Sequence, residues 1–236
     1  MMPSKTTQTP GRRRGIFITL EGIEGSGKTT QLGRLSKFLR EEGYRVVETR
    51  EPGGTPLAER IRGVMLNVPP ATPSEHLIRH PAEPITSECE AALVFAARAQ
   101  HVAHVIQPAL QDGAIVLCDR FFDSTLAYQG YARGVNLRTL SILNRFATRG
   151  VTPHLTLLFD LPVERGLARR RRHDAEQNRL DRETRQFHTR VRKGFLALAA
   201  KEPRRLKVID AKPDPDRIAA DVMAVVNTFL RKARAS

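Results

Sequence analysis

The chain has 236 residues, 40% hydrophobic and 27% charged, which is enough for one α/β domain with a sizeable core. No apolar run approaches the ~18 residues of a membrane-crossing helix. The two cysteines, Cys89 and Cys118, are too far apart for a metal or redox motif and point to a reducing, cytoplasmic compartment rather than a disulfide scaffold. A net charge of +14 would suit a nucleic-acid partner, but the basic residues are scattered and not interleaved with aromatics; that argues against nucleic acid and for an anionic small substrate.

Residues 1–14, polar and ending in Arg12-Arg13-Arg14, read as a disordered basic tail, and residues 15–236 as a single domain. Ile16 to Leu20 is the first β-branched apolar run and predicts a strand. It leads into Gly22-Ile23-Glu24-Gly25-Ser26-Gly27-Lys28-Thr29-Thr30, and then into a helical pattern carried by Leu32, Leu35 and Leu39. Val46-Val47 marks a second strand, followed by Thr49-Arg50-Glu51-Pro52-Gly53-Gly54-Thr55. Residues 67–86 carry five prolines and read as a loop. Leu93, Ala97, Val102 and Ile106 mark a helix that contains Phe95 and Arg98 on a shared face. Ile115 to Cys118 is a third strand, ending in Asp119-Arg120-Phe121 and leading to Ser124-Thr125-Leu126-Ala127-Tyr128-Gln129-Gly130. Leu155 to Phe159 and Leu206 to Ile209 are the fourth and fifth strands, separated by a densely charged stretch at about 169–181 that opens with Arg169 to Arg172. The last helix shows Ile218, Val222, Val225, Val226 and Phe229. Strands alternating with helices predict an α/β fold, a five-stranded parallel sheet with helices on both faces.

Gly22 to Thr29 match G-x-x-x-x-G-K-[ST], the P-loop of the P-loop NTPase fold. Its glycines let backbone N–H groups point at phosphate oxygens; Lys28 reaches the outer phosphates of ATP, and the Thr29 hydroxyl faces Mg²⁺. No Asn-Lys-x-Asp segment of a GTPase is present. Four features suit an acceptor. Arg50 follows a strand at the edge where ligands sit in open α/β sheets; its bland alternative is a solvated turn residue. Phe95 beside Arg98 suits a planar base, or else is a core Phe with a rim Arg. Arg120 at a strand end offers fixed charge to a migrating phosphoryl group, or a structural ion pair. Arg169 to Arg172 suit a lid that closes over ATP, or a solvated helix face.

Taken together these motifs resemble those of the thymidylate kinases, in order and spacing, from about Gly15 to about Leu230. The resemblance implies phosphoryl transfer from ATP to dTMP with Mg²⁺, usually by a homodimer. It implies that Lys28 and Arg120 stabilise the migrating group, with Arg169, Arg171 or Arg172 as lid arginines. It further implies that Arg50 holds the acceptor phosphate, that Glu24 contacts the deoxyribose, and that Arg98, Phe95, Thr125 and Gln129 line the base pocket while Tyr128 crowds a ribose 2′-hydroxyl. The sequence departs from the family pattern where Val94, not Phe95, lies four residues before Arg98, and where Asn178-Arg179-Leu180-Asp181 follows the lid. A kinase for another nucleoside monophosphate, a deoxynucleoside kinase with Glu51 as base, and a nucleic-acid-binding ATPase are the alternative readings.

Overall fold

The computed structural model describes residues 15–66, 84–173, 179–181 and 183–235. The expected basic tail, most of the proline-rich segment and the centre of the expected lid lie outside the described residues.

Five strands, β1 (Ile16–Glu21), β2 (Val46–Arg50), β3 (Ile115–Asp119), β4 (Leu155–Asp160) and β5 (Leu206–Asp210), form one sheet in the order β2-β3-β1-β4-β5. All four pairings are parallel, and Leu20 aligns with Asp119, which aligns in turn with Arg50. The carboxyl ends of β1, β2 and β3 therefore share one edge, and the P-loop, Arg50 and Arg120 emerge side by side.

Alternation along the strands divides the core. Ile18, Leu20, Leu155, Leu157 and Phe159 face Leu32, Leu35 and Leu39 of α1 (Lys28–Glu41) and Ile218, Val222 and Val226 of α9 (Pro215–Ala235). On the opposite face, Phe17, Val116 and Cys118 pack against Val102, Ile106 and Phe121. Val102 and Ile106 bound a π-helical segment joining α3 (Ser87–His101) to α4 (Gln107–Gln111), with α2 (Pro56–Leu66) packed beside α3. After β3, α5 (Phe122–Thr125) passes into a second π-helical segment, Leu126–Ala132, which carries Tyr128 and Gln129; such widened turns recur at functional sites. The chain continues through α6 (Leu137–Thr148), α7 (Val163–His173) and α8 (Arg185–Lys201). Asn136 caps α6 and Thr184 caps α8 through side-chain acceptors for N–H groups of the first turn.

Candidate active site

Gly22, Gly25 and Gly27 adopt φ of 143°, 71° and 89°, values that L side chains resist. Gly25 has a further reason to be glycine: a Cβ there would stand 2.1 Å from the Gly166 carbonyl oxygen in α7, and one on Gly166 would stand 2.6 Å from that of Glu24. The curl brings Lys28 back over the loop, where its ammonium donates to Gly22 O at 3.1 Å, Ile23 O at 2.9 Å and Ser26 Oγ at 3.3 Å. Burial and then the neighbouring Arg120 charge push its pKa down to about 8. The Thr29 hydroxyl donates to Asp119 Oδ2 at 2.8 Å, while Asp119 Oδ1 is buried without a hydrogen-bond partner among the described residues. Among the described residues no group of three or more His, Cys, Asp or Glu could hold a metal. A hydroxyl and one unsatisfied carboxylate oxygen still fit a hard cation that takes its remaining ligands from phosphate and water.

Arg120 sits at φ 72°, a conformation rare outside glycine and held where the surroundings over-determine it. Its backbone N–H donates to Leu20 O at 3.0 Å. Its guanidinium donates to Gly22 O at 3.0 Å, Ser124 Oγ at 3.1 Å and Glu24 Oε1 at 3.1 Å. Beneath the turn, buried Glu21 accepts from Phe121 N–H at 2.7 Å and from the Ser124 hydroxyl at 2.6 Å; burial, then Asp123, push its carboxyl up to about 8. Glu24 also accepts from the Tyr128 hydroxyl at 2.6 Å. Burial would raise the Glu24 carboxyl, but the Arg120 and Lys28 charges hold it well below the usual carboxylate range. His188 of α8, 1% exposed, lies 3.3 Å from Glu24 Oε2 without hydrogen-bond alignment, and among the described residues neither ring nitrogen has a hydrogen-bond partner.

Two cavities open on this edge. The first, of about 250 Å³, is walled by Glu24, Arg98, Arg120, Thr125, Tyr128 and Gln129, with Glu51, Val94 and Arg62 among its other lining residues. Arg98 is 1% exposed and donates from Nε to Glu51 Oε2 at 2.7 Å, and from its terminal nitrogens to Asn144 Oδ1 at 3.2 Å and Thr125 Oγ1 at 3.0 Å. The other Glu51 oxygen lies 3.0 Å from His101 Nδ1. The second cavity, of about 650 Å³, lies over Gly25 to Gln31 and reaches Arg169, Arg170 and Lys212 to Pro215. Gly25, Lys28, Thr29 and Arg170 line both, so a donor phosphate and an acceptor phosphate would meet across one wall.

The family model for thymidylate kinase matches residues 20–222. The chain belongs to the thymidylate kinase family. It is 49% identical over 220 residues to the thymidylate kinase of Syntrophotalea carbinolica, covering 91% of this chain and 96% of that one. It is 49% identical to that of Pseudomonas fluorescens, covering 93% and 99%. The solved thymidylate kinase of Ehrlichia chaffeensis superposes with a TM-score of 0.69 at 33% identity, over 90% of this chain and 99% of that one.

Within this thymidylate kinase fold, Lys28, Arg120, Glu24, Arg98, Thr125, Tyr128 and Gln129 all line the first cavity. Three of the expected residues, Arg50, Phe95 and Arg171, line neither cavity. Arg50 does not line either cavity; it is exposed and paired with Glu59, its NH2 3.0 Å from Oε2, whereas Arg62 of α2 lines the first cavity and donates to Pro52 O at 3.0 Å. Phe95 is turned into the core against Ala91, Leu140 and Ala147, and Val94 takes the cavity wall. Arg171 is exposed and lines neither cavity. Arg169 lines the second cavity and donates to Ala211 O at 3.1 Å, while Arg170, inside the Arg169–Arg172 stretch but not singled out in it, lines both and grips Asp181 with two bonds of 3.0 and 2.9 Å. The Arg172 side chain lies outside the described residues. Helix phase explains the choice in α7: Arg169 and Arg170 stand three and four residues after Gly166, on the face that touches the P-loop.

Proposed function

We propose that this chain transfers the γ-phosphoryl group of ATP to dTMP, giving dTDP and ADP. The observation that carries the reading is the convergence of the Lys28 ammonium and the Arg120 guanidinium on one carbonyl, Gly22 O, at 3.1 and 3.0 Å, beside the wall shared by the two cavities. Two cations fixed at one point favour the charge that spreads over phosphoryl oxygens in the transition state. In this reading ATP occupies the larger cavity over the P-loop N–H groups and the start of α1, and Arg170 adds charge from the lid side. Thr29 and Asp119 hold Mg²⁺, which when bound supplies further neutralisation of the phosphates. The acceptor lies in the smaller cavity, its phosphate toward Arg62 and Arg120, its sugar toward Glu24 and Tyr128, and its base toward Arg98, Thr125 and Gln129.

An acceptor phosphate is already an anion, so alignment and positive charge suffice without a general base. A nucleoside acceptor would need one, and Glu51, the candidate for that role, is committed to Arg98 and His101. Residues Ile142 and Phe146 of α6, 61% and 82% exposed, support a homodimer through that face, and the free thiols of Cys89 and Cys118 support a reducing, cytoplasmic compartment. Among the described residues no helix is long and apolar enough to cross a membrane. A panel of ATP with dTMP, dUMP, dCMP, AMP and thymidine tests the substrate; dTMP is expected to turn over fastest, and faster turnover of another acceptor overturns the reading. DNA-stimulated ATP hydrolysis without dTDP formation would favour the nucleic-acid ATPase.

A further inference from the structure

We infer that Glu90 is a positioning residue for base specificity: its carboxylate fixes the Gln129 side-chain amide with the carbonyl oxygen toward the acceptor cavity, which selects a pyrimidine that donates from ring N3 over one that accepts there. The inference rests on the reading of the smaller cavity as the acceptor site.

Glu90, Val94 and Arg98 are spaced by four along α3, and the last two line the cavity. Glu90 itself is 1% exposed and sits one layer behind the wall. Its Oε1 accepts from Gln129 Nε2 at 2.6 Å, and its Oε2 accepts from Arg133 at 3.2 Å and from Arg179. Burial would raise the Glu90 carboxyl, but the bonds from Arg179 and Gln129 and the Arg133 charge hold it below its ordinary range, so it is ionised at neutral pH and can only accept. A carboxamide has one donating end and one accepting end. Against an acceptor-only partner only the amino end can turn inward, which settles the orientation on physical grounds rather than by choice of flip. Gln129 is 4% exposed and is held in the π-helical segment Leu126–Ala132, so the amide has no room to swing away. Among the described residues nothing donates to its Oε1, and Gln129 lines the cavity.

Arg98 is the donor on another wall: after its three bonds each terminal nitrogen keeps a further N–H. Donor from Arg98 and acceptor from Gln129 match the adjacent C4 carbonyl and N3–H of thymine or uracil. Cytosine reverses both, presenting an amino group and a bare N3. A site whose buried polar groups are left unpaired or opposed rejects the wrong ligand strongly. The carboxylate thus acts on the base without touching it.

The test is the ratio of kcat/KM for dTMP to that for dCMP in Glu90→Gln, Gln129→Met and the double variant. Glutamine at position 90 both donates and accepts, so the Gln129 amide is free to turn, and the ratio is expected to fall about ten- to a hundredfold. Gln129→Met should lower the ratio on its own, and adding Glu90→Gln should then change it no further. Because Glu90→Gln leaves Arg133 and Arg179 with less counter-charge, Glu90→Gln/Arg133→Gln is measured beside it and should show the same loss of discrimination. Equal falls for both substrates with the ratio kept, or an effect of Glu90→Gln undiminished in the Gln129→Met background, would overturn the inference and leave Glu90 a merely structural anchor. Wild-type enzyme separates the failures: if it phosphorylates no pyrimidine monophosphate, the reading of the cavity fails, and if it prefers dTMP while Glu90→Gln keeps the preference, only the Glu90 inference fails.

Discussion

Replacing Arg98 with methionine tests the buried pair beneath the proposed base site. Arg98 and Glu51 are 1% and 3% exposed and 2.7 Å apart, so the substitution strands a carboxylate away from water. Breaking a buried pair by removing one partner costs about 3–5 kcal/mol. His101 Nδ1, 3.0 Å from the other Glu51 oxygen, stays in place as a hydrogen-bond partner of the stranded carboxylate, so the low end, about 3 kcal/mol, applies. At about 2–4 °C per kcal/mol for a domain of this size, Tm should fall by about 6–12 °C in a thermal melt. Glu51→Gln/Arg98→Met removes both charges and should be more stable than Arg98→Met alone, because an unpaired buried charge costs more than a missing pair. Both variants should nevertheless lose at least about tenfold in kcat/KM for dTMP, since the Arg98 N–H groups proposed to meet the base are gone in each. A Tm for Arg98→Met within a degree of wild type would refute the reasoning about the pair. Recovery of kcat/KM in the double variant would refute the direct role in binding.

The Lys28 ammonium, with its pKa pushed down to about 8, should make kcat/KM for ATP fall as pH rises through about 8, because the charged form that draws the phosphates is lost there. The limb on kcat should lie higher, since bound phosphates favour the proton; a kcat/KM profile flat to pH 10 would contradict the assignment. Arg120→Ala and Arg120→Gly delete the same guanidinium and should both lower kcat by orders of magnitude. The glycine variant should be the more stable by roughly 1 kcal/mol, because φ 72° is open to glycine and strained for alanine; chemical denaturation that ranks them the other way would show that the turn relaxes.

The strands and the P-loop were legible because their signals are local: β-branched runs for the sheet, and glycines at fixed offsets ahead of Lys28. What the sequence could not resolve is which side of an element meets the site. Phe95 and Val94 differ by about 100° around α3, and Val94 and Arg98 line the cavity while α6 covers the Phe95 side through Leu140 and Ala147. Arg50 looked well placed at the end of β2, yet Glu59 in the next helix neutralises it, and nothing near Arg62 in sequence marks it as the residue that reaches inward. Glu90 has no motif at all. Its role appears when Gln129 and Arg179, remote in sequence, meet at one carboxylate.

The contact between Gly25 and Gly166 has a consequence for how α7 can vary. Because the helix is seated by a backbone-to-backbone touch that no Cβ can enter, its rotation is fixed by Gly166, and any arginine three or four positions later inherits the inward face. Deleting Ala168 would bring Arg170 and Arg171 to the places held by Arg169 and Arg170, so the run of four arginines tolerates a slip of one residue. A methyl group on Gly166, by contrast, would unseat whichever arginines happened to follow. The positive charge that α7 presents to the cavity belongs to a phase angle rather than to a residue number, and the repeated arginine makes that charge robust to changes in length.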